Sequence, residues 1–360
     1  MKYITIFLSF AFFIININLS HANDIDLIKK KALRGDTESQ FEYGLNLYYG
    51  INAKKDYKNA IKYLNLAADK EHRNAQLLLG YAYLEGNGVT KDNFKAFEYF
   101  KKSSFNENDG AQYALGYCYY NGIGVVKNYS EAVRWLKSAA IKGNSQAELI
   151  LGDAYYYGNG IDKNYERAMY WYERAKKQSN IGAYHSIGIA LYEGKGAAKD
   201  YAKAFEYFNE AAKNNYYPSY YALALMYYNG HGTPKDINKS CEWYLKSANT
   251  GNSIAQEIIG DVYYDGTCFG KNFQNAYEWY KKASLMNNTS AQKKLSKLYL
   301  IGNGAEKNII KTYAWLLIAN VNQDDEAKEL INLVEKNMTQ EDMIKGQQIS
   351  SQIYNEMQND

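Results

Sequence analysis

Few residues of this chain are equipped for chemistry, and their spacings refuse most of it. Ser290-Ala291-Gln292-Lys293 has the S-x-x-K form, which sets a hydroxyl one helical turn from an amine able to take its proton. The S-D-N and K-T-G partners of such an acyl-transfer site are absent from the sequence. Ser290 also stands where a helix should begin, a position that favours serine anyway. Gly122-Ile123-Gly124 superficially matches a phosphate-binding turn, but no strand precedes it and no G-K-[ST] follows. His72, His185 and His231 make no ligand spacing, and three cysteines add little material. No catalytic residue, metal or cofactor is therefore expected. Glu257, Asp261 and Asp265 lie at i, i+4, i+8 on one helix face. A cation, a basic partner or plain solvation would account for them, and a solvated face is the expectation.

The elements that carry these residues repeat. From Gly80, steps of 36 residues land on Gly44, Gly116, Gly152, Gly188, Ala224, Gly260 and Ser296. Six residues after each of these anchors stands a glycine, from Gly50 to Gly302, and all five tryptophans (Trp135, Trp171, Trp243, Trp279, Trp315) share one column. Ala75, Leu79 and Tyr83 form a stripe at helical period, so each repeat opens with a helix that its glycine ends. A second helix starts at an Asp or Asn in every repeat: Asp56, Asp92, Asn128, Asn164, Asp200, Asp236, Asn272, Asn308. Such a cap is worth about 1 kcal/mol over alanine. A lysine precedes each cap, from Lys55 to Lys307, where the helix dipole does not favour a cation. Either these lysines form a basic ridge, or their stems pack over aromatics; packing is the expectation.

The pattern A-x-x-x-L-G-x-x-Y-x-x-G-x-G-V-x-K-[DN]-x-x-x-A-x-x-W-x-x-x-A-A resembles the Sel-one-like repeat family, relatives of tetratricopeptide repeats. Repeat 3 follows it closely, from Ala111-Gln112-Tyr113-Ala114-Leu115-Gly116 through Lys127-Asn128 and Trp135 to Ala139-Ala140. The resemblance implies an all-α, right-handed α/α solenoid of eight helix-turn-helix repeats over residues 39–326. Residues 23–38 are expected to form an N-terminal capping helix, and residues 327–360 a C-terminal helical cap, with Thr339 as an N-cap before an acidic N3 residue. It also implies a protein–protein interaction scaffold without chemistry of its own. A glycan or peptidoglycan binder is the alternative, with sugars stacked on aromatic faces. Some cysteine-rich relatives are described as β-lactamase-like, but they pair cysteines in every repeat and this chain does not.

Composition agrees with a binding role. The 360 residues carry 42 Lys+Arg against 39 Asp+Glu, a balance that argues against nucleic acid as partner. Tyrosine stands out, 38 residues against 13 Phe, which suits many small interfaces better than one dry core. Met1-Lys2-Tyr3, the apolar run from Ile4 to Ile15 and Ser20-His21-Ala22 read as a signal peptide over residues 1–22, cut after Ala22. No later stretch reaches the about 20 apolar residues of a membrane span. The protein is thus expected to be secreted or periplasmic.

Two site expectations follow. In tetratricopeptide-like arrays the first helix lines the concave surface. Its face opposite the Ala–Leu–Tyr stripe offers Phe41, Tyr49, Tyr81, Tyr113, Tyr117, Tyr157, His185 and Tyr221 as an aromatic groove for a protein, a peptide or a glycan. Tyrosines packed only between neighbouring repeats are the competing reading. Among the cysteines, Cys118 fills a small apolar column. Cys241 lies near the start of repeat 6's second helix, and Cys268 replaces the second loop glycine of repeat 7, a place expected to want a left-handed backbone. An oxidising compartment would allow a bond closing a loop of about 28 residues, worth roughly 3 kcal/mol. Two free, partly buried thiols are the default reading.

Overall fold

The computed structural model describes residues 25–105 and 108–359; the expected signal peptide, residues 1–22, lies outside the described residues. Those residues form nineteen α-helices and one short 3-10 turn, with no strand among them. The chain divides into two compact units, Met1–Lys199 and Asp200–Asp360.

The N-terminal unit opens with α1 (Ile25–Leu33) and continues as helix pairs: α2 (Thr37–Tyr49) with α3 (Tyr57–Ala68), α4 (Arg73–Glu85) with α5 (Asn93–Phe105), α6 (Asp109–Asn121) with α7 (Tyr129–Ile141), and α8 (Ser145–Tyr157) with α9 (Tyr165–Lys177). It ends on α10 (Ile181–Glu193). The C-terminal unit starts with α11 (Tyr201–Lys213). Three pairs follow: α12 (Pro218–Asn229) with α13 (Ile237–Asn249), α14 (Ser253–Asp265) with α15 (Phe273–Leu285), and α16 (Thr289–Ile301) with α17 (Ile309–Ala319). Then come α18 (Asp325–Glu335) and α19 (Gln340–Asn359).

Each pair is punctuated by the same few residues. The first helix of repeat 1 stops at Gly50, whose left-handed backbone (φ 72°) lets its N–H reach the Asn46 carbonyl. The cap of the second helix then serves both helices. Asp56 accepts from the Asn59 N–H at 3.0 Å, while its own N–H donates to the Leu47 carbonyl at 2.9 Å. Asn128 and Asn272 repeat that double bond in repeats 3 and 7. One short polar side chain thereby fixes where helix two begins and how it folds back on helix one.

The anchor column explains the close approach within a pair. A Cβ on Gly80 would lie 2.5 Å from the Phe100 ring, and on Gly152 2.5 Å from Tyr172. Small residues at Ala60, Ala96, Ala132, Ala168 and Ala276 are likewise fully buried, and the Leu and aromatic side chains fill what they leave. The second loop glycine has a different duty. A Cβ on Gly124 would lie 2.0 Å from the Asn93 carbonyl oxygen, so this loop presses on the preceding repeat's second helix. The G-x-G pair is a seam between repeats, which is why it recurs in register.

At the C-terminal end, Thr339 and Asp342 form the expected capping box. The Thr339 hydroxyl donates to Asp342 at 2.7 Å and accepts from its N–H at 3.2 Å. Ile353 and Met357 of α19 pack on the cluster around Leu298, Tyr299 and Trp315, closing the last repeat.

Candidate partner-binding face

In the N-terminal unit, three of the eight proposed face residues are not available to a partner. Phe41, Tyr81 and Tyr113 are 8%, 7% and 4% exposed. Phe41 stacks on the His72 ring at 4.5 Å. The Nδ1 of His72 accepts from the Ala75 N–H, capping α4, so its Nε2–H donates to Glu38 at 3.1 Å. Tyr81 meets Phe100 edge to face at 5.0 Å and lies close to Tyr49 and Tyr113 of the neighbouring repeats. Burial among neighbouring side chains takes these three rings out of a partner's reach.

Of the other face residues in this unit, Tyr49 and Tyr117 are half-buried and Tyr157 is 55% exposed. Tyr117 leans on Tyr113 at 6.0 Å, and Tyr157 meets Tyr156 edge to face at 5.1 Å. His185 is half-buried, and burial pushes its imidazole down to about 4, so it is neutral near pH 7. Tyr221, in the C-terminal unit, is half-buried against Tyr244 at 5.7 Å.

Sequence reasoning missed the acid beside these rings. Burial raises the Asp153 carboxyl to about 6, against the opposing hydrogen bonds of Tyr172 and Ser186, and the Tyr172 hydroxyl donates to it at 2.8 Å. The signal was in the columns: Asp153 and Asp261 each stand one after an anchor whose repeat carries a tyrosine twenty after it, Tyr172 and Tyr280. The Tyr280 hydroxyl donates to Asp261 at 2.7 Å, so the pairing is the same in both. Glu148, wholly buried, is held by Arg174 at 2.8 Å and Gln178 at 2.8 Å.

In the C-terminal unit, the acidic stripe is not simply solvated. The Lys294 ammonium donates to Glu257 at 2.6 Å and to Asp261 at 2.7 Å, supplying the cation from one repeat on. Burial pushes the Glu257 carboxyl up, but bonds from Lys294, Ser290 and Asn288 outweigh it and hold the group below its usual range. Ser290 donates its hydroxyl to Glu257 at 2.6 Å, whereas Lys293 turns away to Asp324 at 3.0 Å. The two ends of the S-x-x-K motif thus serve different partners, and no nucleophile–base pair forms between them. Among the described residues, no group of three or more His, Cys, Asp or Glu side chains is placed to hold a metal ion.

Four of the lysines before the caps lie over aromatics: Lys55 over Tyr57 at 4.6 Å, Lys127 over Tyr129 at 5.7 Å, Lys235 over Tyr228 at 5.5 Å and Lys271 over Phe273 at 5.5 Å. Cys118 is buried and free, and burial pushes its thiol up to about 12. Cys241 and Cys268 are bonded, their Cα atoms 6.4 Å apart, which replaces the default of two free thiols. Cys268 does not adopt the expected left-handed backbone. In neighbouring repeats a Cβ at this place would run into the preceding helix, whereas the Cys268 Sγ lies 3.4 Å from the Ile237 carbonyl oxygen.

Comparison with known proteins matches this geometry. No curated protein matches the chain. Among solved structures, a Sel1 repeat protein from Oxalobacter formigenes is similar at 25% identity and TM-score 0.65, covering 88% of this chain and 92% of that one. The structure of c5321, a protective antigen present in uropathogenic Escherichia coli strains and displaying an SLR fold, is similar at 22% identity and TM-score 0.54, covering 92% and 94%. The Sel1 repeat model matches residues 37–72, 73–104, 110–144, 145–180, 181–216, 218–252, 253–288 and 289–320. Those eight segments coincide with the capped helix pairs and their glycine seams, and the chain belongs to the Sel1 repeat family.

Proposed function

We propose that this protein is an extracytoplasmic scaffold that binds a protein or peptide partner through the first-helix face of its N-terminal unit and performs no chemistry itself. Sel1-repeat proteins generally mediate protein–protein interaction, and scaffolds of this kind are generally non-catalytic. The observation that carries the reading is a set of partly exposed rings braced by other rings: Tyr117 against the buried Tyr113, Tyr49 near the buried Tyr81, and Tyr157, 55% exposed, against Tyr156. Rings braced by their neighbours lose little freedom on docking, which is what makes tyrosine effective at binding hot spots. The leader segment and the Cys241–Cys268 bond support an oxidising, extracytoplasmic location.

The test is Tyr117→Ala combined with Tyr157→Ala. Partners are first captured by the wild-type chain from periplasmic and culture fluids and identified by mass spectrometry. The double variant should then bind the captured partner about thirtyfold more weakly, as loss of a hot spot worth about 2 kcal/mol implies, with an unchanged melting temperature. Undiminished binding, or weaker binding matched by unfolding, overturns the reading. Fractionation of cells expressing the full chain tests the location.

A further inference from the structure

We propose that a cleft in the C-terminal unit, at the junction of α11, α12 and α13, is a binding site for an acidic oligosaccharide. This rests on residues separate from the first-helix face and stands or falls independently of it. The cleft is shallow and open to solvent, with a volume of about 590 Å³, within the range of small-ligand sites. Three rings form its wall. Tyr217 and Tyr220 lie 5.7 Å apart, Tyr220 and Trp243 5.5 Å, with planes tilted 59° and 49°, so the wall is bent rather than flat. Tyr217 is 45% exposed.

The polar lining sets the ligand class. Lys213 and Lys246 both line the cleft, and no Asp or Glu does. The Lys246 ammonium sits 3.9 Å from the centre of the Trp243 ring, placing a positive charge on the platform itself. Side-chain amides of Asn209, Asn215 and Asn249 complete the lining. An amide donates and accepts at once, as a sugar hydroxyl does, and an ammonium answers a carboxylate. Ring faces suit the C–H faces of a pyranose. A peptide is less well served, because Ala212 is the one purely aliphatic side chain in the lining and, among the described residues, no strand edge is present to pair with a backbone.

The site also breaks the rules of its own repeat. Helices α2, α4, α6, α8, α14 and α16 begin on an Asp, His or Asn whose side chain accepts from the backbone. Helix α12 begins on Tyr217-Pro218 with no side-chain cap, and α10 also lacks one on Asn180. Proline suits a helix's first turn, so what sets the start of α12 apart is the exposed ring of Tyr217, and departures of this sort collect where a surface has another task. In repeat 4 the corresponding tryptophan, Trp171, is covered by Arg174 at 5.0 Å, itself tied to Glu148. At Trp243, as at Trp279 under Lys282, the covering side chain is a lysine; Lys246 is exposed and forms no ion pair among the described residues, so an incoming anion can take it.

The experiment titrates the full chain, by calorimetry, with tetragalacturonate, sialyllactose and the N-acetylglucosamine–N-acetylmuramic acid disaccharide. Chitotetraose serves as the neutral sugar and a Glu- and Tyr-containing peptide as the acidic non-sugar. At least one acidic sugar should bind, about tenfold or more tighter than chitotetraose, and the affinity should fall with salt. Tyr217→Ala, and separately Lys213→Glu with Lys246→Glu, should each weaken it about tenfold or more while thermal unfolding stays as in the wild type. Trp243→Phe, which keeps a ring, should retain measurable binding. No binding of any acidic sugar, equal affinity in the variants, or preference for the peptide each overturns the proposal.

Discussion

Asp153 is a carboxyl held among rings, and its energetics can be isolated. Burial lifts its folded value to about 6, above the ordinary 3.8 of an unfolded chain. A raised value means that its contribution to stability is fully present below about pH 4 and is lost as pH rises through about 6. Asp153→Asn keeps an acceptor for the Tyr172 hydroxyl and removes the titration. The variant should therefore gain on the order of 2 kcal/mol relative to wild type at pH 7 and little at pH 4, read by urea unfolding at both. An equal difference at the two pH values would refute the assignment. His185 runs the other way: its depressed value costs the fold stability as pH falls from about 6.5 towards 4, so the pair must be compared by substitution rather than from the wild-type profile alone. At this scale the sequence was legible where columns repeat and opaque where they do not. The Asp–Tyr pairs could be read from register, but nothing in the spacing of Ser290 and Lys293 says that the lysine prefers Asp324, because that depends on where α18 returns.

Helix punctuation shows the same division among elements. The first helix and the second-helix cap were readable in every repeat because glycine or a short polar residue is required at each. The end of the second helix was not. It closes on a left-handed residue that is glycine at Gly143 and Gly251 but Glu71, Ser179, Asn215, Asn287 and Gln323 at other described ends. Those five accept strain of roughly 1 kcal/mol each, so residue type carries no signal there. The Cys241–Cys268 bond replaces one glycine seam with a covalent one, spanning 27 residues. Unfolded without reductant, the mature protein should titrate one thiol, that of Cys118, and three would exclude the bond. Cys241→Ser should lower stability by about 3 kcal/mol, measured by denaturant unfolding against the oxidised wild type.

Across the whole molecule, the terminal helices decide whether repeats stay separate from other copies. Ile353 and Met357 cover apolar side chains of the last repeat that any further repeat would otherwise bury, and Glu335 of α18 accepts from the Tyr313 hydroxyl at 2.9 Å. Removal of residues 338–360 should convert a monodisperse protein into one that self-associates, seen by light scattering, while far-ultraviolet helicity falls only by the deleted helix. A monomeric truncation would contradict this capping role. Eight repeats were legible because every one needs the same punctuation, whereas the division into two compact units left no mark in composition or spacing. The seams between repeats carry a kinetic consequence as well. The Asn87 amide donates to Tyr48 and the Asn159 amide to Tyr120, each across 39 residues, little more than one repeat. Closures this short cost little chain entropy and need nothing from farther along. A chain delivered N-terminus first through a narrow channel can thus lock each repeat onto its predecessor as it emerges, and every locked seam makes backward slippage harder.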